Sequence, residues 1–183
     1  MTSDLDADPD NYEIATGNLT LDALGTGRPI VAKGFPTAFG MAPPDFEGRT
    51  VIDYSDVRSA LGVGWGANGT DTPFLSIGTD GLVLWNKNPD IDQRHYIKQG
   101  PVLIDLTELD SDTVIVPRET GRLLFSIKSQ DSLRLYSEWE DFVTDLLNSL
   151  PGANARSMYA YGKYDVDSNT FTAVKLGVYL LEL

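Results

Sequence analysis

The sequence predicts a mostly β fold of the β-rich α+β type, in which one amphipathic helix packs on an antiparallel barrel or sandwich sheet. Short runs of β-branched and aromatic residues recur between clusters of Gly, Pro, Asn and Asp. Only one segment has the period of an amphipathic helix, and an alternating hairpin closes the chain. We therefore expect a disordered acidic tail or linker at residues 1–12 and a single domain at residues 13–183, with two related halves as an alternative arrangement.

The first segment after the tail predicts a β-hairpin and a loop. Apolar and β-branched runs on either side of Gly25-Thr-Gly27 predict a hairpin over residues 13–35. The following stretch, residues 34–46, contains three prolines, which cannot donate a backbone hydrogen bond to a neighbouring strand. We therefore expect a long ordered loop there.

The next segment predicts a short strand and one helical turn. Residues 50–54 (Thr-Val-Ile-Asp-Tyr) have the β-branched composition of a strand. Ser55 and Asp56 are residue types that cap helix N-termini, which predicts a single turn of helix through Leu61.

A glycine-rich segment follows at residues 62–69 and contains one G-x-G-x-x-G spacing. A dinucleotide-binding fingerprint needs a helix directly after the glycines, because the helix N-terminus holds the pyrophosphate. Here a proline and a predicted strand follow. The segment therefore predicts a flexible glycine loop that carries Trp65, not a nucleotide site.

The middle of the chain predicts further strands, and the second half predicts the helix. Strands are expected at 74–77, 81–85, 96–97, 102–106, 113–116 and 122–127. Apolar residues recur at helical spacing over residues 137–150, with a Ser137-x-x-Glu140 capping box at the start and Pro151-Gly152 at the end. The final hairpin is predicted from residues 158–164 and 170–183.

Parts of this pattern resemble a group of uncharacterised bacterial proteins. Residues 162–176 resemble OB-like β-barrel domains of unknown function in bacterial secreted and lipoprotein sequences, and residues 26–35 are similar to the opening hairpin of the same group. Residues 39–46 also resemble uncharacterised envelope lipoproteins. The resemblance implies an OB-like barrel and a cell-envelope location, and it implies no catalytic residue.

Charge and composition restrict the partners and the location. With 27 acidic and 14 basic residues, the net charge of −13 repels phosphate backbones, so neither nucleic acid nor an anionic membrane surface is an expected partner. The chain has no cysteine and no apolar run long enough to span a bilayer. We expect a soluble periplasmic or envelope protein present as a mature fragment, with the cytoplasm as the alternative location.

Metal and catalytic motifs are weak in this sequence. Asp4, Asp6 and Asp8 alternate like the first ligands of a calcium loop, but the Gly and Glu that complete such a loop are missing. His95 is the only histidine and has no nucleophile motif beside it, so we expect an ordinary surface or edge position for it. No metal or other cofactor is predicted.

The leading functional hypothesis is a non-catalytic envelope module that binds or scaffolds an envelope protein or glycan. Two segments place aromatic residues outside any periodic element, which predicts an interaction face formed by Phe35, Phe39, Phe46 and Trp65. Inward packing of these rings against the sheet is the alternative. The alternative function is a glycan hydrolase that uses a carboxylate pair, since the many acidic residues allow such a pair without identifying one.

Overall fold

The computed structural model describes residues 13–22, 24–38, 44–86 and 95–183. The chain divides into two compact units, residues 1–54 and residues 55–183. The prediction of one domain over residues 13–183 stays a prediction, and the predicted tail at residues 1–12 lies outside the described residues.

The described residues of the first unit form three strands, β1 (Ile14–Ala15), β2 (Ile30–Pro36) and β3 (Phe46–Asp53). β3 lies in the middle, parallel to β1 and antiparallel to β2. The predicted hairpin over residues 13–35 is therefore wrong. β2 pairs along its whole length with β3, whereas β1 is two residues long, so the β2–β3 ladder satisfies far more backbone groups.

The described residues of the second unit form ten strands and one α-helix, α1. A large sheet has the order β5-β6-β9-β13-β12-β4-β7-β8, with β10 paired to β13 and β11 paired to β10. Its elements are β4 (Arg58–Gly64), β5 (Phe74–Gly78), β6 (Gly81–Leu84), β7 (Tyr96–Gln99), β8 (Val102–Asp105), β9 (Val114–Pro117), β10 (Leu124–Lys128), β11 (Leu133–Tyr136), α1 (Trp139–Ser149), β12 (Ala153–Asp165) and β13 (Thr170–Glu182).

This arrangement confirms the mostly β fold with one helix packed on a sheet. The described strands do not close into a barrel, so the open, sandwich-like sheet is the alternative that fits. The sheet is mixed, not purely antiparallel. β13 is long enough to pair in parallel with β9 along its first half and with β10 along its second half.

The hairpin β12–β13 at the centre of the large sheet confirms the prediction of a closing hairpin. The hairpin β5–β6 confirms the predicted strands at 74–77 and 81–85. Two other local predictions are wrong. The expected helical turn through Leu61 is part of β4, and the predicted glycine loop begins inside the same strand. β4 is paired on both sides, by β12 and β7, and it buries Leu61 and Val63 on one face, so sheet pairing outweighs the local capping signal at Ser55 and Asp56.

Helix α1 lies where the apolar stripe predicts it. It buries Trp139, Phe142, Val143 and Leu146. Phe125 of β10 meets two of these rings, with centroids 5.1 Å from Trp139 and 5.5 Å from Phe142. No helix among the described residues combines the length and apolar character needed to cross a membrane.

The predicted capping box of α1 is wrong. The N-cap residue is Glu138, in extended conformation, and its side chain makes no capping hydrogen bond. The amide of Phe142 donates to the carbonyl of Glu138, so the first turn begins one residue later than Ser137 would require. Burial of Trp139 and Phe142 against Phe125 therefore sets the start of the helix more than the capping sequence does.

Candidate functional site

The large sheet has two faces of different composition. Along β13, Leu176, Val178 and Leu180 are buried in the core, while the alternating positions Lys175 and Tyr179 lie on the opposite face. We call this opposite face the outer face. Within the described residues it carries the cationic side chains Arg58, Lys98, Arg118, Lys128, Arg156, Lys163 and Lys175.

Acidic residues lie at strand ends of this face. Asp105 ends β8, and its carboxylate accepts hydrogen bonds from the amide and hydroxyl of Thr107. Asp165 ends β12, and its carboxylate accepts hydrogen bonds from the amides of Asp167 and Ser168 in the turn that follows. Both carboxylates serve local turns, so the outer face is locally basic although the whole chain has a net charge of −13.

A cleft of about 550 Å³ opens on the outer face. It contains four of the cationic side chains together with a tyrosine and a threonine: Arg58, Arg118, Lys163, Lys175, Tyr161 and Thr172. A volume of this size is within the range of small-molecule sites, roughly 300–1,000 Å³. We call it the basic cleft.

The strand register places the residues of the basic cleft next to one another. Lys163 of β12 lies directly between Arg58 of β4 and Thr172 of β13. Tyr161 lies opposite Lys175. Between these two rows β12 and β13 shift register, and Val174 is the extra residue of the bulge. Bulges commonly re-aim side chains next to functional sites.

A glycine is required at the bulge. At Gly162, a Cβ atom would collide with the carbonyl oxygen of Thr172. The close approach of the two backbones at this point therefore depends on the missing side chain.

The charges in the basic cleft are poorly compensated. Arg58 and Lys163 are directly opposite each other on adjacent strands, an arrangement of like charges that is destabilising. Lys163 pairs with Asp56, whose side chain is 91% exposed. Arg58, Arg118 and Lys175 form no ion pair with any described residue. The cleft therefore carries an excess of positive charge.

A second depression of about 420 Å³ lies beside it on the same face, which we call the tyrosine groove. Its walls include Tyr96 and Tyr159, which flank Gly62 from the two neighbouring strands. The end of the Tyr96 ring rests on this glycine, because a Cβ there would lie 2.9 Å from Cζ and Oη of Tyr96. The Tyr159 side chain is 56% exposed.

Farther along the outer face, Tyr179 lies between two cations. The Nζ of Lys128 is 5.1 Å from the ring centroid, and the Cζ of Arg156 is 5.7 Å from it. Both contacts are cation–π interactions with the ring of Tyr179. Tyr159 has no comparable cation contact among the described residues, so its ring is available to a ligand.

His95 does not lie at the surface, which corrects the sequence prediction. It is fully buried, and its ring meets that of Trp65 edge to face at 5.9 Å. Burial lowers the pKa of His95 to about 4, while the backbone of Gly64 and the carboxylate of Asp105 act in the opposite direction. Neither ring nitrogen makes a hydrogen bond of regular geometry to a described residue. The described structure thus shows His95 in a core position.

The structure describes three of the four aromatic residues of the predicted interaction face, Phe35, Phe46 and Trp65. Trp65 is 2% exposed and packs edge to face on Phe74, so its predicted projection is wrong and the inward alternative holds for it. Phe35 is 63% exposed beside Arg49, and Phe46 is half-buried on the neighbouring strand. Phe39 lies outside the described residues.

Metal and carboxylate sites have no support among the described residues. No group of three His, Asp or Glu side chains there is arranged to hold a metal ion. Asp4, Asp6 and Asp8 lie outside the described part of the chain. Neither the basic cleft nor the tyrosine groove is lined by a carboxylate, so the glycan hydrolase stays a prediction.

The basic cleft was missed by sequence analysis, although part of its signal is local. Tyr159, Tyr161 and Lys163 occupy alternate positions of a predicted strand, so they share one face. Arg58 and Arg118 come from distant parts of the chain, and nothing local connects them to that face. No family model, curated protein or solved structure matches this chain. Functional proposals therefore rest on the geometry of these residues.

Proposed function

We propose that the protein is a non-catalytic binding module that holds an anionic ligand in the basic cleft. The observation that carries this proposal is the direct apposition of Arg58 and Lys163 beside Arg118 and Lys175. Of these four cations only Lys163 has an ion-pair partner among the described residues, the exposed Asp56. Folding gains nothing from like charges on adjacent strands. A bound anion would relieve this repulsion, so the arrangement supports binding.

The cleft also supports recognition of a defined anionic group. Two arginines offer planar, bidentate donors for a carboxylate or phosphate, and two lysines add point charges. The hydroxyls of Tyr161 and Thr172 add neutral hydrogen-bonding groups between them. This donor set suits binding, and the described lining includes no carboxylate to act as a general base.

A cell-envelope location is part of the same proposal. It is supported by the resemblance of residues 26–35 and 162–176 to hairpins of bacterial secreted and lipoprotein sequences. Fractionation of the source cells, with detection by an antibody, tests this location. Recovery of the protein only with cytoplasmic markers would contradict it.

Titration calorimetry with citrate tests the binding function. Citrate is a compact trianion that fits the volume of the cleft. We expect Arg118→Gln and Lys175→Gln each to weaken citrate binding by roughly tenfold, because each removes a charge-assisted hydrogen bond.

Arg122→Gln is the matched control, since it removes the same charge from an exposed position outside the basic cleft. We expect its citrate affinity to stay close to that of the unmodified chain. Absence of citrate binding at low ionic strength, or an equal loss in Arg122→Gln, would contradict the proposed function.

A further inference from the structure

The tyrosine groove and the basic cleft are neighbours along β12. Tyr159 and Tyr161 are two residues apart on the outer face of β12, so their Cβ atoms are separated by about 7 Å. The first lines the groove and the second lines the cleft. A ligand held in the cleft therefore reaches the groove if it extends by about 7 Å more along the strand.

The groove differs chemically from the cleft. It is lined by two tyrosines, two glycines, a serine and apolar groups, and this lining includes no charged side chain. Tyr96 lies over Gly62 with the end of its ring against the backbone, and Tyr159 stands on the other side of the same glycine. The exposed ring of Tyr159 and the half-buried ring of Tyr96, on either side of a glycine, suit the apolar face of a neutral ring.

We propose that the cleft and the groove form one site for a short acidic oligosaccharide, with a uronate carboxylate in the basic cleft and neutral sugar rings against Tyr96 and Tyr159. This inference rests on the proposed function, because the carboxylate occupies the same cleft. Aromatic side chains bury much area of a ligand ring at small entropic cost, and their hydroxyl groups remain able to hydrogen-bond.

The charge pattern favours an acidic sugar chain over a nucleic acid. A nucleic acid strand carries a phosphate at every nucleotide, so a strand that follows the outer face would place phosphates in the groove, whose lining has no cation. The net charge of −13 adds repulsion outside the basic cleft. A sugar chain with its charge concentrated at one end needs cations only where the structure provides them.

The test compares an acidic oligosaccharide with its acidic sugar, with its neutral sugar chain and with a nucleic acid strand. Aldotetraouronic acid, a glucuronate on a neutral xylose chain, is titrated beside glucuronate alone, the neutral xylose chain and oligothymidylate of similar length. We expect aldotetraouronic acid to bind about tenfold tighter than glucuronate, because the rings in the groove add aromatic contacts. Tyr159→Ala should reduce this ratio to near one.

Leu133→Ala is the matched control, because it shortens another exposed apolar residue on the same sheet, outside the groove, and should leave the ratio unchanged. A ratio near one in the unmodified chain, together with Lys175-dependent citrate binding, overturns the oligosaccharide inference and leaves the proposed function standing. Binding of neither citrate nor glucuronate overturns the proposed function itself. Tighter, Tyr159-dependent binding of oligothymidylate overturns the choice of a sugar ligand.

Discussion

The two faces of the large sheet differ in the burial and charge of their side chains. On the core face, Phe125, Ile127 and Val178 are almost completely inaccessible to solvent, and helix α1 packs against Phe125. The outer face instead brings together like charges, such as Arg58 and Lys163 on adjacent strands. Side chains that break the local rules of stability commonly belong to functional sites. The comparison therefore separates the face that holds the fold together from the face that we propose binds the ligand.

The largest expected effect is on the core face. Phe125→Ala should lower the free energy of unfolding by about 3–5 kcal/mol, because it removes a fully buried ring that packs on Trp139 and Phe142. Tyr159→Ala, the truncation of an exposed ring on the outer face, should change it by only about 0.5 kcal/mol. Urea unfolding monitored by circular dichroism measures both values. Similar losses in the two variants would mean that the outer face also stabilises the fold.

The second prediction concerns pH and the buried His95. Because burial lowers its pKa from 6.5 to about 4, the unfolded chain takes up this proton before the folded protein does. The stabilisation is therefore complete above about pH 6.5 and is lost as the pH falls through 4, a change of about 3 kcal/mol.

The measurement compares the unmodified chain with His95→Phe by urea unfolding between pH 7 and pH 4. The carboxylates titrate in both proteins, so the difference between their free energies of unfolding isolates His95. That difference should shift by about 3 kcal/mol in favour of the variant as the pH falls. A difference that stays constant with pH would show that His95 is accessible to water in the folded protein.

The core face was the more predictable of the two. The stripe Trp139, Phe142, Val143 and Leu146 has a helical period that follows from burial alone, and the closing hairpin is a local pairing. The parallel pairing of β13 with β9 and β10 was not predictable, since a strand's own alternation does not identify its neighbours. Trp65 shows the same limit, because glycines beside it favoured a projecting loop while pairing of β4 on both sides placed the ring in the core.

The candidate site was largely hidden in the sequence. Each cationic residue of the basic cleft is an ordinary exposed position of its own strand, and only the register of β4, β12 and β13 brings Arg58, Lys163 and Lys175 together. The net charge of −13 also concealed a locally basic surface, because an overall balance does not describe how charges are distributed. The predicted absence of a nucleic acid partner stays a prediction for this reason.

The smallest expected effect tests the charge repulsion within the outer face. Arg58→Gln should be more stable than the charge-matched Arg122→Gln by roughly 0.2–0.5 kcal/mol at low ionic strength, because it relieves the repulsion between Arg58 and Lys163. At 1 M salt, where the Debye length is about 3 Å, the difference should vanish. Thermal unfolding at both salt concentrations measures it. Lower stability of Arg58→Gln under both conditions would mean that Arg58 supports the fold.

The most direct test of the binding face is an NMR titration of the isotopically labelled protein with citrate, which follows the backbone amides of both faces. We predict that the largest shifts lie at the ends of β4, β12 and β13 that carry Arg58, Lys163 and Thr172, and that Lys175→Gln reduces them. The amides of α1 should move little. Shifts that centre on α1 or on the first unit, and that persist in Lys175→Gln, would contradict the assignment of binding to the outer face.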